Sequence, residues 1–139
     1  MADNVRDVMT ANPITVRADE TLAAAAKQMR DGDVGAVIVV EGATVRGLIT
    51  DRDITVRGVA DDLDPRTTPV GALVTHDLVA VSPDDDVETA VELMRTHAVR
   101  RLPVIDDTQV VGMVSLGDLA VARDSDSALA EISAEEPNN

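Results

Sequence analysis

A repeat dominates this chain of 139 residues. Residues 70–119 align with residues 5–54 without a gap, and twelve of the fifty aligned pairs are identical. Because about fifty residues are near the lower limit for independent folding, the repeat predicts two copies of one supersecondary unit in a single globule. It also predicts that a site built on one copy has a counterpart on the other.

The hydrophobic pattern changes in the same order within each copy. Apolar runs at 13–16 and 78–81 indicate short strands, and a helix with an apolar stripe follows each run. Two more apolar runs predict a hairpin, and a second helix then begins near Asp51 and near Leu116. The fold class is therefore α/β of the α+β type, with β-α-β-β-α occurring twice. The helical stripes are Leu22, Ala25, Ala26 and Met29 in the first copy, and Val87, Ala90, Val91 and Met94 in the second.

The ends of the predicted elements also carry signals. Thr21 and Asp86 suit helix N-caps, and Gly32 suits the C-terminal turn of the first helix. Short helical turns are expected at Val5–Met9 and Val70–Val74.

The copies define the expected domains. Residues 1–60 form the first repeat, residues 61–69 have the composition of a linker, and residues 70–123 form the second repeat. Residues 124–139 form an acidic tail that we expect to be flexible, with a short helix near Ala128–Ile132.

Charge and composition exclude several classes of function. The net charge is −14 and Lys27 is the only lysine, which argues against nucleic acid and anionic membranes as partners. The chain has no cysteine and no apolar stretch of membrane-spanning length, so we expect a cytoplasmic protein without disulfides. It also has no aromatic residue, so aliphatic faces and backbone groups must hold any flat ligand.

The strongest local pattern closes each copy. The segments that start at Gly47 and Gly112 both read glycine, two apolar residues, a hydroxyl residue, two variable residues and aspartate. This pattern lies where a strand passes into a helix, and free backbone N–H groups at that point favour anions. The hydroxyl can reach a phosphate oxygen, and the aspartate can accept two hydrogen bonds from a vicinal diol such as ribose. The residues concerned are Thr50 and Asp53 in the first copy, and Ser115 and Asp118 in the second.

Helix capping is the alternative explanation of this pattern. Thr-x-x-Asp and Ser-x-x-Asp both resemble a capping box in which Asp replaces the usual Glu or Gln. The occurrence of the pattern at matching places in both copies, with glycine at the same offset, favours a ligand site.

On these residues the chain resembles the CBS-domain family, named after cystathionine β-synthase, and in particular its small stand-alone actinobacterial members. The resemblance covers residues 5–122. It rests on the motif described above, on Val8-Met9-Thr10, and on the segment from His97 to Val104 that contains Arg100-Arg101-Leu102-Pro103.

The resemblance implies a disc of two pseudosymmetric repeats that commonly forms a homodimer and regulates an effector protein, for example in a stress response. It implies clefts between the repeats for AMP, ADP, ATP or S-adenosylmethionine, which act as regulatory ligands and not as cofactors. The aspartates would hold ribose, and the hydroxyl residues would help to hold phosphate. The adenine would lie against Ile14, Thr15, Val34 and Val37 in one copy, and against Val79, Ala80, Val99 and Leu102 in the other.

The two copies differ in charge beside the motif. Arg100 and Arg101 stand where the first copy has Gly35 and Ala36, and Arg52 stands where the second copy has Gly117. Two guanidinium groups can bind one phosphate bidentately, so the two sites are expected to have unequal affinities. The alternative is that these arginines are surface charges that pair with the abundant acids.

No arrangement typical of an enzyme or a metal site stands out. The sequence has neither a phosphate-binding Gly-x-x-x-x-Gly-Lys loop nor a recognisable nucleophile–base pair. His76 and His97 are too far apart to form a ligand pair by spacing, and a cationic His97 is favoured at a helix C-terminus. Together with the resemblance, this implies a non-catalytic module that binds an adenosine ligand and signals by a conformational change. The alternative is a structural or protein-binding CBS pair with empty clefts.

Overall fold

The computed structural model describes residues 4–74 and 78–123. The expected tail helix and His76 lie outside the described residues. The chain forms two compact units. One unit is Ile14–Leu78, which we call the repeat-1 unit. Among the described residues the other unit joins 4–13 with 79–123, and we call it the repeat-2 unit.

The helices and strands follow the repeat. In chain order they are α1 (Val5–Val8), β1 (Thr10–Ala11), β2 (Thr15–Arg17), α2 (Leu22–Gly32), β3 (Ala36–Glu41), β4 (Thr44–Thr50), α3 (Asp51–Asp53), a π-helical segment (Ile54–Val59), a 3-10 turn (Val70–Ala72), α4 (Val87–His97), β5 (Arg101–Asp106), β6 (Gln109–Ser115) and α5 (Leu116–Arg123). The mixed α/β class and the two β-α-β-β-α-like repeats are confirmed, as are the helical turns at Val5 and Val70.

Each unit contains a three-stranded sheet around a hairpin. In the repeat-1 unit the order is β2-β3-β4, with β2 parallel to β3 and β4 antiparallel to it. In the repeat-2 unit the order is β1-β6-β5, and both pairings are antiparallel. Both hairpins contain a register shift at the same place, between Val39 and Val40 and between Val104 and Ile105.

The long helices bury the stripes that the sequence indicates. Leu22, Ala25 and Met29 of α2 are buried, as are Val87, Ala90 and Met94 of α4, whereas Ala26 is exposed. The Thr21 hydroxyl accepts a hydrogen bond from the Ala24 N–H at 3.1 Å, which confirms it as the N-cap. Asp86 occupies the N-cap position of α4, but its side chain makes no capping hydrogen bond.

Gly32 does not provide the left-handed residue that ends α2. That residue is Asp33 with φ 54°, and Ala98 takes the same φ at the end of α4. A Cβ at Gly32 would meet Cδ1 of Ile14, but this atom is the flexible end of a side chain and can move aside.

The expected strand at 78–81 is reduced to one bridge between Val81 and Val104. In the repeat-1 unit the Ile38 N–H donates to the Ile14 carbonyl at 3.0 Å and extends the pairing of β2 with β3. The equivalent residue in β5 is Pro103, which has no N–H, so this hydrogen bond cannot form.

Each hydrophobic core contains an N-terminal segment that belongs, in sequence, to the other repeat. Val5, Val8 and Met9 pack with the second repeat. Val70, Leu73 and Val74 pack with the first repeat. Each compact unit therefore contains the N-terminal segment of the other sequence repeat in place of its own. The segment 61–69, expected to be a linker, also contributes packing, because Leu63 lies against the core of the repeat-1 unit.

Backbone and side-chain hydrogen bonds join the helix α1 to the segment that precedes α4. The Val5 N–H donates to the Asp85 carbonyl at 2.9 Å, and the Arg6 guanidinium donates to the Asp84 carboxylate at 2.8 Å. The hydrogen bond to Asp84, and then the attraction between the two charges, raises the pKa of Arg6. Because the ordinary pKa of arginine is already above the range in which proteins fold, Arg6 stays charged throughout it.

Candidate functional site

The first motif lies where β4 passes into α3. The Thr50 hydroxyl accepts a hydrogen bond from the Asp53 N–H at 3.1 Å, and Oδ2 of Asp53 accepts one from the Thr50 N–H at 2.9 Å. This is a capping box, which satisfies two backbone donors at the start of the helix.

The second motif repeats this geometry where β6 passes into α5. The Ser115 hydroxyl accepts from the Asp118 N–H at 3.1 Å, and Oδ2 of Asp118 accepts from the Ser115 N–H at 2.9 Å. All four side chains are half-buried. The structure thus places Thr50 beside Asp53, and Ser115 beside Asp118, as the capping-box alternative predicts.

Capping occupies only one carboxylate oxygen in each motif. Within the described part of the chain, no residue donates a hydrogen bond to Oδ1 of Asp53 or Asp118. An ionised carboxylate accepts through both oxygens, so each aspartate keeps acceptor capacity for an external hydroxyl group. The cap and a diol-binding role are therefore compatible.

The motif glycines are required by the backbone. Gly47 has φ 147°, which L-residues rarely adopt. At Gly112 a Cβ would lie 2.5 Å from Sδ of Met9 and 2.9 Å from the Thr10 carbonyl oxygen, because β1 runs beside β6. Both glycines also lie at the register shifts of their hairpins. The glycine pattern therefore has a structural explanation and does not by itself indicate a ligand.

Arginines lie beside the second motif but not at the matching place in the first. Arg101 is the cross-strand partner of Ser115, whereas Ala36 is the partner of Thr50. The Arg100 carbonyl accepts from the Leu116 N–H at 2.8 Å, which fixes the start of β5 against the start of α5. Both arginines are exposed. Because opposite residues in a ladder have neighbouring Cβ atoms, Arg101 can reach a group held by Ser115.

The first motif has the equivalent backbone hydrogen bond, but uncharged Gly35 stands in the place of Arg100. The Gly35 carbonyl accepts from the Asp51 N–H at 3.0 Å. Arg52 is exposed on α3 and lies between the capping residue and Asp53 in sequence.

The expected adenine wall is only partly available at the surface of the repeat-1 unit. Ile14 is half-buried, Thr15 is exposed and Val34 is 40% exposed, and Ile14 and Val34 both lie beside Gly32. Val37, in contrast, is fully buried in the core of this unit. Its side chain has no surface to offer a ligand.

The repeat-2 unit gives the same result. Val79, Ala80 and Val99 are half-buried, and Leu102 is fully buried in the core. Val37 and Leu102, expected at the ligand, are thus core residues at equivalent positions of the two hairpins.

An apolar groove of about 380 Å³ lies between α4 and α5 of the repeat-2 unit. Its lining is Val91, Met94, Arg95, Val99, Leu116, Leu119 and Ala120. Of the residues expected at the adenine, only Val99 contributes to it. Sequence reasoning missed this groove. The available signal in the sequence was Leu116, an apolar residue at a position where the first copy has Asp51. In the structure the Leu116 side chain is 44% exposed.

The described residues contain no group of three or more His, Cys, Asp or Glu side chains placed to hold a metal ion. His97 is exposed at the C-terminal end of α4, as expected. Within the same residues, no helix is both long and apolar enough to span a bilayer.

The comparison with protein families decides the classification. The model of the CBS domain matches the chain twice, over residues 5–58 and 70–125. The chain belongs to the CBS-domain family. As a pair of CBS domains it is a regulatory module of a kind whose stand-alone members are generally non-catalytic.

The relatives of this CBS pair include proteins of similar length. It is 42% identical over 134 residues to the CBS domain-containing protein YhcV of Bacillus subtilis, covering 94% of this chain and 95% of that protein. It is 39% identical over 116 residues to hypoxic response protein 1 of Mycobacterium tuberculosis, covering 83% of this chain and 81% of the relative.

Two solved structures match the fold of this chain. Hypoxic response protein I, crystallised with two coordinated zinc ions, matches with a TM-score of 0.77 and 37% identity over 86% of this chain and 98% of its own. The CBS pair of protein MJ0100, in complex with 5′-methylthioadenosine and S-adenosyl-L-methionine, matches with a TM-score of 0.80 over 91% of this chain and 100% of its own. At 22% identity the second match shows the fold alone.

Proposed function

We propose that this CBS pair binds adenosine-containing ligands through its two motifs and transmits their presence to an effector protein by a change of conformation. The observation that carries the proposal is the matched geometry of the motifs. In both, a hydroxyl and a carboxylate are fixed at the same distances, and one carboxylate oxygen is left free of hydrogen bonds from the described residues. The bound ligand would act through its different affinities for two states of the module.

The MJ0100 complex supports the ligand class only at the level of the fold, since it shows that a CBS pair can hold adenosine compounds. For this chain the support comes from chemistry. A carboxylate with a free oxygen can accept from ribose, and the neighbouring hydroxyl and backbone N–H groups suit a phosphate.

The proposal includes unequal sites. Arg101 lies across from Ser115, and a guanidinium forms strong, bidentate bonds with phosphate. Ala36 at the equivalent place offers no such group. We therefore expect the motif of the repeat-2 unit to bind a given adenine nucleotide more tightly.

A structural module without ligands is the second candidate. It is favoured by the capping boxes, because these fully explain the positions of Thr50, Asp53, Ser115 and Asp118. The two candidates differ in what the free carboxylate oxygen does.

Two substitutions at each aspartate separate these functions. Asn at positions 53 and 118 keeps an oxygen for the backbone N–H but removes the charge and the second acceptor oxygen. Asp→Ala removes both roles. We expect Asp53→Asn with Asp118→Asn to melt within about 2 °C of the wild type, since only the weak attraction to the helix dipole is lost. The same protein should bind ADP at least tenfold more weakly in calorimetric titration.

The double variant with Asp53→Ala and Asp118→Ala, called the alanine pair, measures how much capping contributes to stability. Losing both caps should cost about 1 kcal/mol each, and the melting temperature should fall by several degrees. If the asparagine pair binds ADP as the wild type does while the alanine pair is destabilised, the aspartates are caps alone and the ligand assignment is wrong.

The proposal also includes a homodimer. The groove between α4 and α5 is apolar, and Leu116 and Val121 on α5 are exposed at 44% and 37%. A second copy that covers this face would bury these side chains and gain hydrophobic free energy. Light scattering at micromolar concentration should give twice the mass of one chain, and the mass of a single chain would contradict this part of the proposal.

A further inference from the structure

Most arginines of the described chain are paired with acids. Six form ion pairs with Asp or Glu, and the pairs are Arg6–Asp84, Arg17–Asp19, Arg30–Asp31, Arg46–Glu41, Arg66–Asp64 and Arg95–Glu92. Four others, Arg52, Arg57, Arg100 and Arg101, make no ion pair with any residue that the structure describes. In a chain with a net charge of −14, acidic partners are abundant, so the absence of such pairs at these positions is informative.

The four unpaired arginines all flank the motifs. Arg100 and Arg101 begin β5 across from Ser115. Arg52 lies within the first motif, and Arg57 lies one turn after Asp53 in the π-helical segment. Two arginines therefore come from the strand side in the repeat-2 unit, and two come from the helix side in the repeat-1 unit.

The equivalent position of each of these arginines holds a small uncharged residue. Gly35 and Ala36 correspond to Arg100 and Arg101, and Gly117 and Ala122 correspond to Arg52 and Arg57. Each copy thus has two arginines on one side of its motif and two small uncharged residues on the other side.

The π-helical segment favours a joint action of Arg52 and Arg57. Its hydrogen bonds run from residue i to i+5, as from the Ala60 N–H to the Thr55 carbonyl at 3.0 Å. In an α-helix, residues five apart are rotated by about 140° about the axis, whereas a π-turn brings them towards the same face. The widened turn begins at Ile54, between the two arginines. In the repeat-2 unit the equivalent residues that the structure describes, 119–123, lie in the α-helix α5.

The formal charges of the side chains at the first motif indicate a role for Arg57. The first motif carries Asp51 in addition to Asp53, whereas the second has Leu116 in place of Asp51. Without Arg57 the first motif has two acids and one arginine, and it would repel a phosphate. With Arg57 its charges cancel, while the second motif keeps an excess positive charge from Arg100 and Arg101.

We propose that Arg57 is a phosphate-binding residue that acts with Arg52, so that both motifs select adenosine phosphates over S-adenosylmethionine. This inference rests on the proposed function. The selection follows because the 5′ carbon of S-adenosylmethionine carries a cationic sulfonium where that of a nucleotide carries an anionic phosphate, and guanidinium groups attract the phosphate but repel the sulfonium.

The test uses the full chain with Asp118→Asn, which leaves the first motif as the remaining site. Calorimetric titrations compare ADP, adenosine and S-adenosylmethionine. Arg57→Ala should weaken ADP binding about tenfold and change adenosine binding less than threefold. Arg57→Lys should fall between, because lysine keeps the charge but loses the fork. ADP should bind more tightly than S-adenosylmethionine in the parent.

Arg66→Ala is the matched control, since Arg66 is an exposed arginine of the same unit that is paired with Asp64. Melting temperatures show that each variant is folded. Equal ADP affinities of the Arg57→Ala and Arg66→Ala proteins would overturn the role of Arg57, as would tighter binding of S-adenosylmethionine than of ADP. Failure of the wild-type chain to bind any of the three compounds would instead refute the proposed function itself.

Discussion

Gly47 and Gly112 occupy the same position in the two repeats, but they are required for different reasons. Gly47 adopts a φ of 147°, whereas Gly112 makes room for Met9 and the Thr10 carbonyl. The sequence predicts a glycine at this offset to be part of a site. It could not reveal the bulge or the neighbouring strand, because both depend on contacts between segments that are distant along the chain.

Substitution of Gly112 tests this explanation. Gly112→Ala should lower the free energy of unfolding by about 1–3 kcal/mol, because the new Cβ would lie 2.9 Å from a backbone oxygen that cannot rotate away. Urea denaturation measures the loss. Adding Met9→Ala removes the sulfur contact but not the carbonyl contact, so it should not restore stability. Full recovery in the double variant would contradict the role assigned to Thr10.

The sequence predicts that certain residues belong to apolar strands, but it does not predict which of them face the core. Val37 and Leu102 lie in runs that are apolar throughout, and such runs give no alternation from which to tell a ligand-facing residue from a core residue. The role of the capping residues was easier to predict, because Thr50 and Ser115 form hydrogen bonds with residues only three positions away.

At the scale of elements, hairpins and helices were predictable because their signals are local. The apolar stripe of α2 and α4 and the polar turns of both hairpins can be read within windows of a few residues. The strand at 78–81 was not, since its existence depends on Pro103, about twenty positions further along the chain. The apolar run is present, but the partner strand lacks the donor that would extend the pairing.

Replacement of Pro103 should restore this strand. Pro103→Ile introduces the residue found at the equivalent position of the first repeat, where Ile38 is fully buried and donates to Ile14. We expect a new hydrogen bond to the Val79 carbonyl, and a gain in stability of about 1 kcal/mol. Hydrogen exchange should show a protected amide at position 103. Exchange at the rate of an open loop would refute this explanation, and Pro65→Ala at an exposed site serves as the control.

At the scale of the whole molecule, the repeat predicted two similar cores but not their membership. Val5 and Val70 are the same residue at the same position of the two copies, so the sequence contains no signal for which core each one enters. The structure places Val5 with the second repeat and Val70 with the first. Segment exchange of this kind is decided by chain path and packing, which a periodic pattern does not record.

The repeat also sets the functional expectation, because two motifs of one geometry should give two sites in each chain. Native mass spectrometry of the full protein titrated with ADP counts the bound ligands directly. We predict two ADP molecules per chain at saturation, with the tighter one lost on Asp118→Asn and the weaker one lost on Asp53→Asn. A chain that retains no ADP, AMP, ATP or S-adenosylmethionine at millimolar concentration would contradict the account.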